Sequence, residues 1–257
     1  MIPHGTVEKI CYPSPSFGMD RRMLIYTPPG YHQTTKNFPV LYLLHGGGGD
    51  EEAWTRQGRA PEILDSLIAK GKAYPMIVVM TNGNPGRAAT LNEIHGDTVN
   101  SIQAKPSNMR SGEFEESLVK DVIPFIETNY RLVANKDFRA VAGYSLGGLQ
   151  TLYLANHYPV LFSYYGVMSM GIADLWRYSI MVEKEVQVAN IQKLKSTKPK
   201  LFWIACGNKD FLYRGVVELK EFLDSQGFSY IYRESEGGHT WENWSTYLSE
   251  FAQLLFK

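Results

Sequence analysis

A serine placed between two glycines is the residue in this chain whose setting most clearly permits chemistry. Ser145 lies between Gly143 and Gly147 in the stretch V-A-G-Y-S-L-G-G at 141–148, after a strand-like apolar run and before a helix-like one. A sharp strand-to-helix turn needs small neighbours and presents the serine hydroxyl at the edge of a sheet. The pattern predicts a nucleophilic serine, with the backbone amide of Leu146 directed at a developing oxyanion.

A serine hydroxyl needs a general base, and the base needs an acid that orients it. Where this turn occurs, the usual chain order is serine, acid, histidine. Of the six histidines, only His239 lies beyond both Ser145 and an acid-bearing strand end. Asp210 follows the apolar run at 200–206 and is the preferred acid. Asp224 is the alternative, although it falls in an amphipathic helical pattern where a carboxylate usually faces solvent.

A glycine-rich segment could supply a second oxyanion donor. The strand-like run at 39–44 is followed by H-G-G-G-G-D at 45–50. Bare backbone there would let an amide approach a substrate carbonyl, and we assign Gly47 as the donor with Gly48 as the alternative. A phosphate-binding loop is the competing interpretation, but no Gly-Lys-Ser/Thr follows, and the acidic residues at 50–52 would repel phosphate.

The elements that must position these residues follow an alternating pattern. Strand-like runs are predicted at 6–12, 22–27, 39–44, 76–80, 138–142, 164–168, 200–206 and 228–233, and helices include 60–70, 114–130 and 216–225. The first two strands read as an antiparallel pair. The rest predicts an α/β fold with a mostly parallel eight-stranded sheet and helices on both faces. The candidate residues then meet outside the carboxyl ends of the strands.

Five motifs arrive in an order that resembles one family along almost the whole chain. They are L-Y-L-L-H-G-G-G-G-D-E-E-A-W at 41–54, P-M-I-V-V-M at 75–80, G-Y-S-L-G-G at 143–148, L-F-W-I-A-C-G-N-K-D at 201–210 and G-G-H-T-W at 237–241. The chain resembles the esterase D-type α/β-hydrolases, and within them the bacterial feruloyl esterases. The resemblance implies the α/β-hydrolase fold, catalytic roles for Ser145, Asp210 and His239, and oxyanion roles for Gly47 and Leu146.

The resemblance implies a serine carboxylic ester hydrolase that releases ferulate or a related hydroxycinnamate from xylan. Acetyl-xylan or other short-chain esters and S-formylglutathione are alternative substrates. An acyltransferase and a catalytically silent carbohydrate-binding protein are alternatives from other classes. The predicted mechanism requires no metal and no organic cofactor, and the predicted partner is a small-molecule or polysaccharide-linked ester.

Three tryptophans are candidates for substrate binding, because a flat phenolic ring gains from contact with other rings. They are Trp54, Trp176 and Trp241. Two segments with irregular patterns, 82–112 and 171–195, are predicted to shape the pocket, the first as its rim and the second as a lid-like insertion.

The composition bears on the number of domains, the kind of partner and the presence of disulfides. A chain of 257 residues with 44% hydrophobic content is expected to form one catalytic domain. Lys and Arg total 26 and Asp and Glu total 26, which gives no electrostatic case for nucleic acid or an anionic membrane. Two cysteines, Cys11 and Cys206, provide no disulfide framework. The sequence leaves the oligomeric state open.

The N-terminus lacks the basic and apolar regions of a signal peptide. Members of the resembled family are often exported and often carry an N-terminal carbohydrate-binding-like module. We therefore expect that the chain is a domain excised from a longer protein that is secreted or periplasmic, although the sequence also leaves a cytoplasmic location open.

Overall fold

Eight strands form one sheet, and the candidate residues follow strands in its parallel part. The computed structural model describes residues 2–86, 111–172 and 184–257. The strands are β1 (Thr6–Ser14), β2 (Met19–Thr27), β3 (Val40–Leu44), β4 (Ile77–Thr81), β5 (Arg139–Tyr144), β6 (Tyr164–Met168), β7 (Leu201–Gly207) and β8 (Ile231–Ser235). Their spatial order is β1-β2-β4-β3-β5-β6-β7-β8. The pairs β1–β2 and β2–β4 are antiparallel and the others are parallel, which confirms the predicted sheet.

Helices cover both faces of this sheet. They are α1 (Ala53–Arg56), α2 (Ala60–Ala69), α3 (Glu113–Ser117), α4 (Ile123–Asn129), α5 (Leu146–His157), α6 (Lys184–Ser196), α7 (Tyr213–Ser225) and α8 (Trp241–Ala252). On one face α2 and α8 pack in a single apolar core cluster, and on the other α3 to α7 pack in a second. Within the described ranges, no helix is both long enough and apolar enough to cross a membrane.

The apolar pattern of each element explains this arrangement. β3 reads V-L-Y-L-L and all five of its residues are buried, as expected for a central parallel strand covered on both faces. α8 buries a stripe at helical spacing, which consists of Trp244, Tyr247, Leu248, Phe251 and Ala252. The stripe faces the sheet, so the turn before α8, which holds His239, is fixed at the sheet's edge.

The predicted helix at 114–130 is interrupted, because a π-helical turn at Leu118–Val122 separates α3 from α4. Pro124, two residues after this turn, cannot donate an N–H, and its ring would clash with the carbonyl one turn earlier. A wider turn before the proline relieves that clash.

The last strand begins three residues later than predicted. Phe228 is buried, but its amide donates to the Leu223 carbonyl (3.0 Å), and Gly227 has a φ of 58°. These features close the C-terminus of α7 in the manner of a Schellman motif. The apolar residue at 228 therefore completes a helix cap, and β8 starts at Ile231.

One buried acid in α3 should make stability depend on pH. The Glu115 side chain is buried, and neither carboxyl oxygen has a hydrogen-bond partner among the residues that the structure describes. Burial raises the pKa of Glu115 to about 8. Between pH 4.5 and 8 the unfolded chain ionises this group while the folded chain keeps it neutral, so stability falls as pH rises. We expect the advantage of Glu115→Gln in unfolding free energy to grow by on the order of 3 kcal/mol from pH 5 to pH 8.

Urea denaturation of wild type and variant at the two pH values measures this effect. Glu116→Gln is the control, since Glu116 is exposed and ion-paired with Lys120, and its effect should hardly vary with pH. A difference between Glu115→Gln and wild type that is the same at both pH values would contradict the prediction.

Candidate active site

Ser145 lies on a strained turn between β5 and α5. Its φ of 52° and ψ of −118° fall outside the regions that L-residues favour. The turn is held because the Ser145 amide donates to the Met168 carbonyl (2.9 Å) at the end of β6. A Cβ at Gly147 would lie 2.5 Å from the Leu44 carbonyl oxygen, and a Cβ at Gly143 would lie 2.6 Å from the Gly147 backbone. Glycine at both positions is therefore a steric requirement of the turn.

Two backbone segments with donor groups border Ser145. Leu146 is the first residue of α5, so its amide has no acceptor inside the helix. Gly47 belongs to the loop after β3, and a Cβ built there meets no atom of the described residues within 4 Å. This part of the protein thus leaves space open at Gly47. Gly48 has a φ of 76°, which explains the glycine at that position by backbone conformation.

A buried histidine holds the glycine loop. The Gly83 amide donates to Nε2 of His45 (2.8 Å), and Nδ1 of His45 lies 2.8 Å from the Gly46 carbonyl oxygen. Since Nε2 accepts, the proton must be on Nδ1, which donates to Gly46. Burial lowers the pKa of His45, so the ring is neutral. His45 thereby joins the loop that contains Gly47 to the segment that follows β4.

Asp210 and His239 form a hydrogen-bonded pair. Nδ1 of His239 lies 3.0 Å and 2.9 Å from the two carboxylate oxygens of Asp210. A carboxylate can only accept, so Nδ1 carries the proton and the neutral ring has its lone pair on Nε2. Burial alone would raise the pKa of Asp210, but hydrogen bonds from His239 and the Leu212 amide (2.9 Å), together with the Ser169 side chain, outweigh it and lower that pKa. Asp210 therefore remains ionised at neutral pH.

Ser169 and Trp244 lie beside the Asp210–His239 pair. The indole N–H of Trp244 donates to the Ser169 hydroxyl (3.0 Å), and the Ser169 side chain helps to lower the pKa of Asp210. Ser169 is fully buried and has a φ of 50°, so the end of β6 is strained in the conformation that makes this contact. Trp244 also stacks on Tyr144 (4.0 Å between ring centroids) and meets the His239 ring edge-on (4.8 Å). The same indole thus contacts the imidazole and the residue before Ser145.

The predicted catalytic residues follow three parallel strands in one half of the sheet. Ser145 follows β5, Asp210 follows β7 and His239 lies in the turn after β8, with β6 between the first two. Asp224 lies on α7 and accepts a hydrogen bond from the Tyr230 hydroxyl (2.9 Å), away from this edge. The acid that the structure brings to His239 is Asp210.

The three candidate substrate-binding tryptophans have different surroundings. Trp54 is 1% exposed and its indole N–H donates to the Leu44 carbonyl, which favours a structural role for it. Trp241 is partly buried and contacts the rings of Trp54 (5.3 Å) and Tyr144 (4.7 Å). Trp176 lies outside the described residues, as do 87–110 and 173–183 of the two predicted pocket segments.

Sequence reasoning missed three residues that the structure places at the site: His45, Ser169 and Phe211. Phe211 follows Asp210 directly, and its ring lies 4.5 Å from the His239 ring. A large apolar side chain in a polar loop next to the predicted acid was the available signal for Phe211. In the parts of the chain that the structure describes, no cluster of three or more His, Cys, Asp or Glu side chains is placed to hold a metal ion.

A strained serine on a strand-to-helix turn, with an Asp–His pair at the same sheet edge, defines an α/β-hydrolase of the serine type. The chain belongs to the Esterase family, whose model matches residues 14–254.

Individual relatives agree with this family. The chain is 33% identical over 262 residues to the endo-1,4-beta-xylanase/feruloyl esterase of Xylanibacter ruminicola, covering all of this chain and 32% of that protein. This chain thus spans about a third of that relative's length. The ferulic acid esterase of Anaeromyces mucronatus has a similar structure, with a TM-score of 0.80, 22% identity and coverage of 99% and 92% of the two chains. S-formylglutathione hydrolase of Staphylococcus aureus also shares the fold, with a TM-score of 0.72, 17% identity and coverage of 99% and 98%.

Proposed function

We propose that this chain hydrolyses carboxylic esters through an acyl-enzyme on Ser145, and that its substrates are feruloyl or related hydroxycinnamoyl esters of plant cell-wall xylan. The observation that carries the proposal is the Asp210–His239 hydrogen-bonded pair at the sheet edge where the strained Ser145 turn also lies. This arrangement supplies a base whose free nitrogen can take a proton from a serine hydroxyl.

The reaction begins when Nε2 of His239 takes the proton of the Ser145 hydroxyl, whose oxygen attacks the ester carbonyl carbon. Asp210 keeps the other ring nitrogen protonated and stabilises the imidazolium that forms. His239 then gives the proton to the leaving alcohol as the bond to the carbonyl carbon breaks. In the second half His239 takes a proton from water, whose oxygen attacks the acyl carbonyl carbon. His239 then gives that proton to the Ser145 oxygen as its bond to the acyl carbon breaks and the acid is released.

Two backbone amides stabilise the negative charge on the carbonyl oxygen during both steps. We assign these roles to Leu146, at the N-terminus of α5, and to Gly47, in the loop that His45 holds. Each such donor contributes roughly 3 kcal/mol to transition-state stabilisation. The hydrogen bonds of His45 favour this assignment, because they fix the loop before substrate arrives.

The preference for hydroxycinnamoyl esters rests on the relatives. The protein from Xylanibacter ruminicola, which aligns with the whole of this chain, is named both a xylanase and a feruloyl esterase. A polysaccharide substrate lies outside the cell, so the proposal also requires a secreted or periplasmic enzyme.

Hydrolysis rates on four substrates test the proposal: methyl ferulate, methyl coumarate, methyl acetate and S-formylglutathione. The first three share the methanol leaving group, and we expect kcat/KM for the two cinnamate esters to exceed that for methyl acetate by at least about tenfold, which corresponds to about 1.4 kcal/mol in activation free energy. Slow cleavage of both cinnamates together with fast cleavage of the thioester would overturn the feruloyl assignment in favour of S-formylglutathione hydrolysis.

A further inference from the structure

An exposed aromatic ring lies against the candidate general base. Phe211 is 75% exposed, the highest value among the large hydrophobic side chains of the described residues. Its ring centroid lies 4.5 Å from that of His239, with the planes tilted by 49°. A single exposed apolar side chain is ordinary on a protein surface. This one differs because the residue it touches is the one that must exchange protons with the substrate.

The backbone on both sides of Phe211 is tightly held. The Asp210 amide donates to the Gly207 carbonyl (3.0 Å), and the Tyr213 amide donates to the Asp210 carbonyl (3.0 Å). The Leu212 amide donates to the Asp210 carboxylate (2.9 Å). The exposure of the ring is therefore a property of a fixed turn, and the ring is a preformed apolar surface beside the imidazole.

The Phe211 ring lies on the side of the site where the alcohol moiety of an ester substrate must leave. In the acylation step His239 protonates the departing alcohol, so the alcohol oxygen must come within hydrogen-bond reach of Nε2 of His239. A side chain in contact with the same imidazole is thus a neighbour of the alcohol moiety. Phe211 has no polar group, so it can offer that moiety only its apolar surface.

We propose that Phe211 is a platform for the alcohol moiety of the substrate, and that this moiety is the sugar that carries the acyl group. The C–H face of a pyranose or furanose ring is apolar and flat enough to lie on a phenyl ring, while its hydroxyls remain in water. A methyl ester has no such face and gains little from the contact. This inference rests on the proposed function, because it requires a sugar ester as substrate.

Phe211→Ala and Phe211→Trp test the inference with esters that share an acyl group and differ in the alcohol. We measure kcat/KM for a feruloyl-arabinose ester and for methyl ferulate, and divide the first value by the second for wild type and each variant. In Phe211→Ala this ratio should fall at least about fivefold, mainly because KM for the sugar ester rises. Phe211→Trp, which keeps an aromatic ring, should have a ratio close to that of wild type. Tyr74→Ala, which removes another exposed aromatic ring, should keep the wild-type ratio.

The outcomes separate this inference from the proposed function. Equal losses on both esters, or no change in the ratio, would overturn the role of Phe211. Methyl acetate and an acetylated xylo-oligosaccharide form a second pair. If wild type cleaves only the acetates, the feruloyl assignment fails, and the ratio within the acetate pair decides the role of Phe211 by the same criterion.

Discussion

Replacing Ser145 with alanine should lower kcat/KM for ester hydrolysis by at least about a thousandfold, because no acyl-enzyme can form without the hydroxyl. Folding should survive. The positive φ at this residue strains alanine as much as serine, so the change removes a hydroxyl without adding strain. Rates on methyl ferulate and thermal unfolding of both proteins measure the two halves of the prediction.

Ser145→Gly separates the loss of the hydroxyl from the strain of the backbone at this position. Glycine tolerates the positive φ, so this variant should be as inactive as the alanine variant and more stable than wild type by about 1 kcal/mol. Ser225→Ala, at an exposed serine on α7, should behave as wild type in both assays. A Ser145→Ala protein that is folded and retains activity would contradict the nucleophile assignment.

Replacing Asp210 with asparagine should lower kcat by about four orders of magnitude while the fold is preserved. The Leu212 amide donates to one carboxylate oxygen, Oδ1, so an asparagine would place its carbonyl oxygen there and its NH₂ group toward His239. Nδ1 of His239 would then have to accept, which moves the ring proton to Nε2. In that tautomer Nε2 cannot take the proton of Ser145.

Asp224→Asn provides the matched control, since Asp224 is the other acid that the sequence allows. Its carboxylate contacts Tyr230 on the surface, and the change should alter kcat by less than about twofold. The two variants are compared in single-turnover measurements at pH 7 to 8. If Asp224→Asn were the more damaging change, the assignment of the acid to Asp210 would be wrong.

The sequence was sufficient to locate the strands and the turns that end them. Apolar runs such as the one that forms β7 mark buried parallel strands, and the residues just beyond them must lie at one edge of the sheet. Because of this rule, the sequence predicts that Asp210 and His239, which are 29 positions apart, lie at the same edge of the sheet.

Side-chain contacts across the sheet could not be predicted in the same way. Ser169 stands between two methionines, and nothing in its local sequence indicates a hydrogen bond from a tryptophan 75 positions later. That bond depends on the strained backbone just after β6 and on the orientation of Trp244, which the packing of α8 determines. Similarly, the exposure of Phe211 follows from the hydrogen bonds of its turn, which a residue pattern does not encode.

Covalent labelling with a fluorophosphonate, followed by mass spectrometry of the digested protein, tests most directly whether a nucleophile is activated at the β5–α5 turn. We predict one adduct per chain, located on Ser145, and its loss in both Ser145→Ala and Asp210→Asn on the timescale of wild-type labelling. An adduct on a different residue, or active wild-type enzyme that the reagent neither labels nor inhibits, would contradict the account.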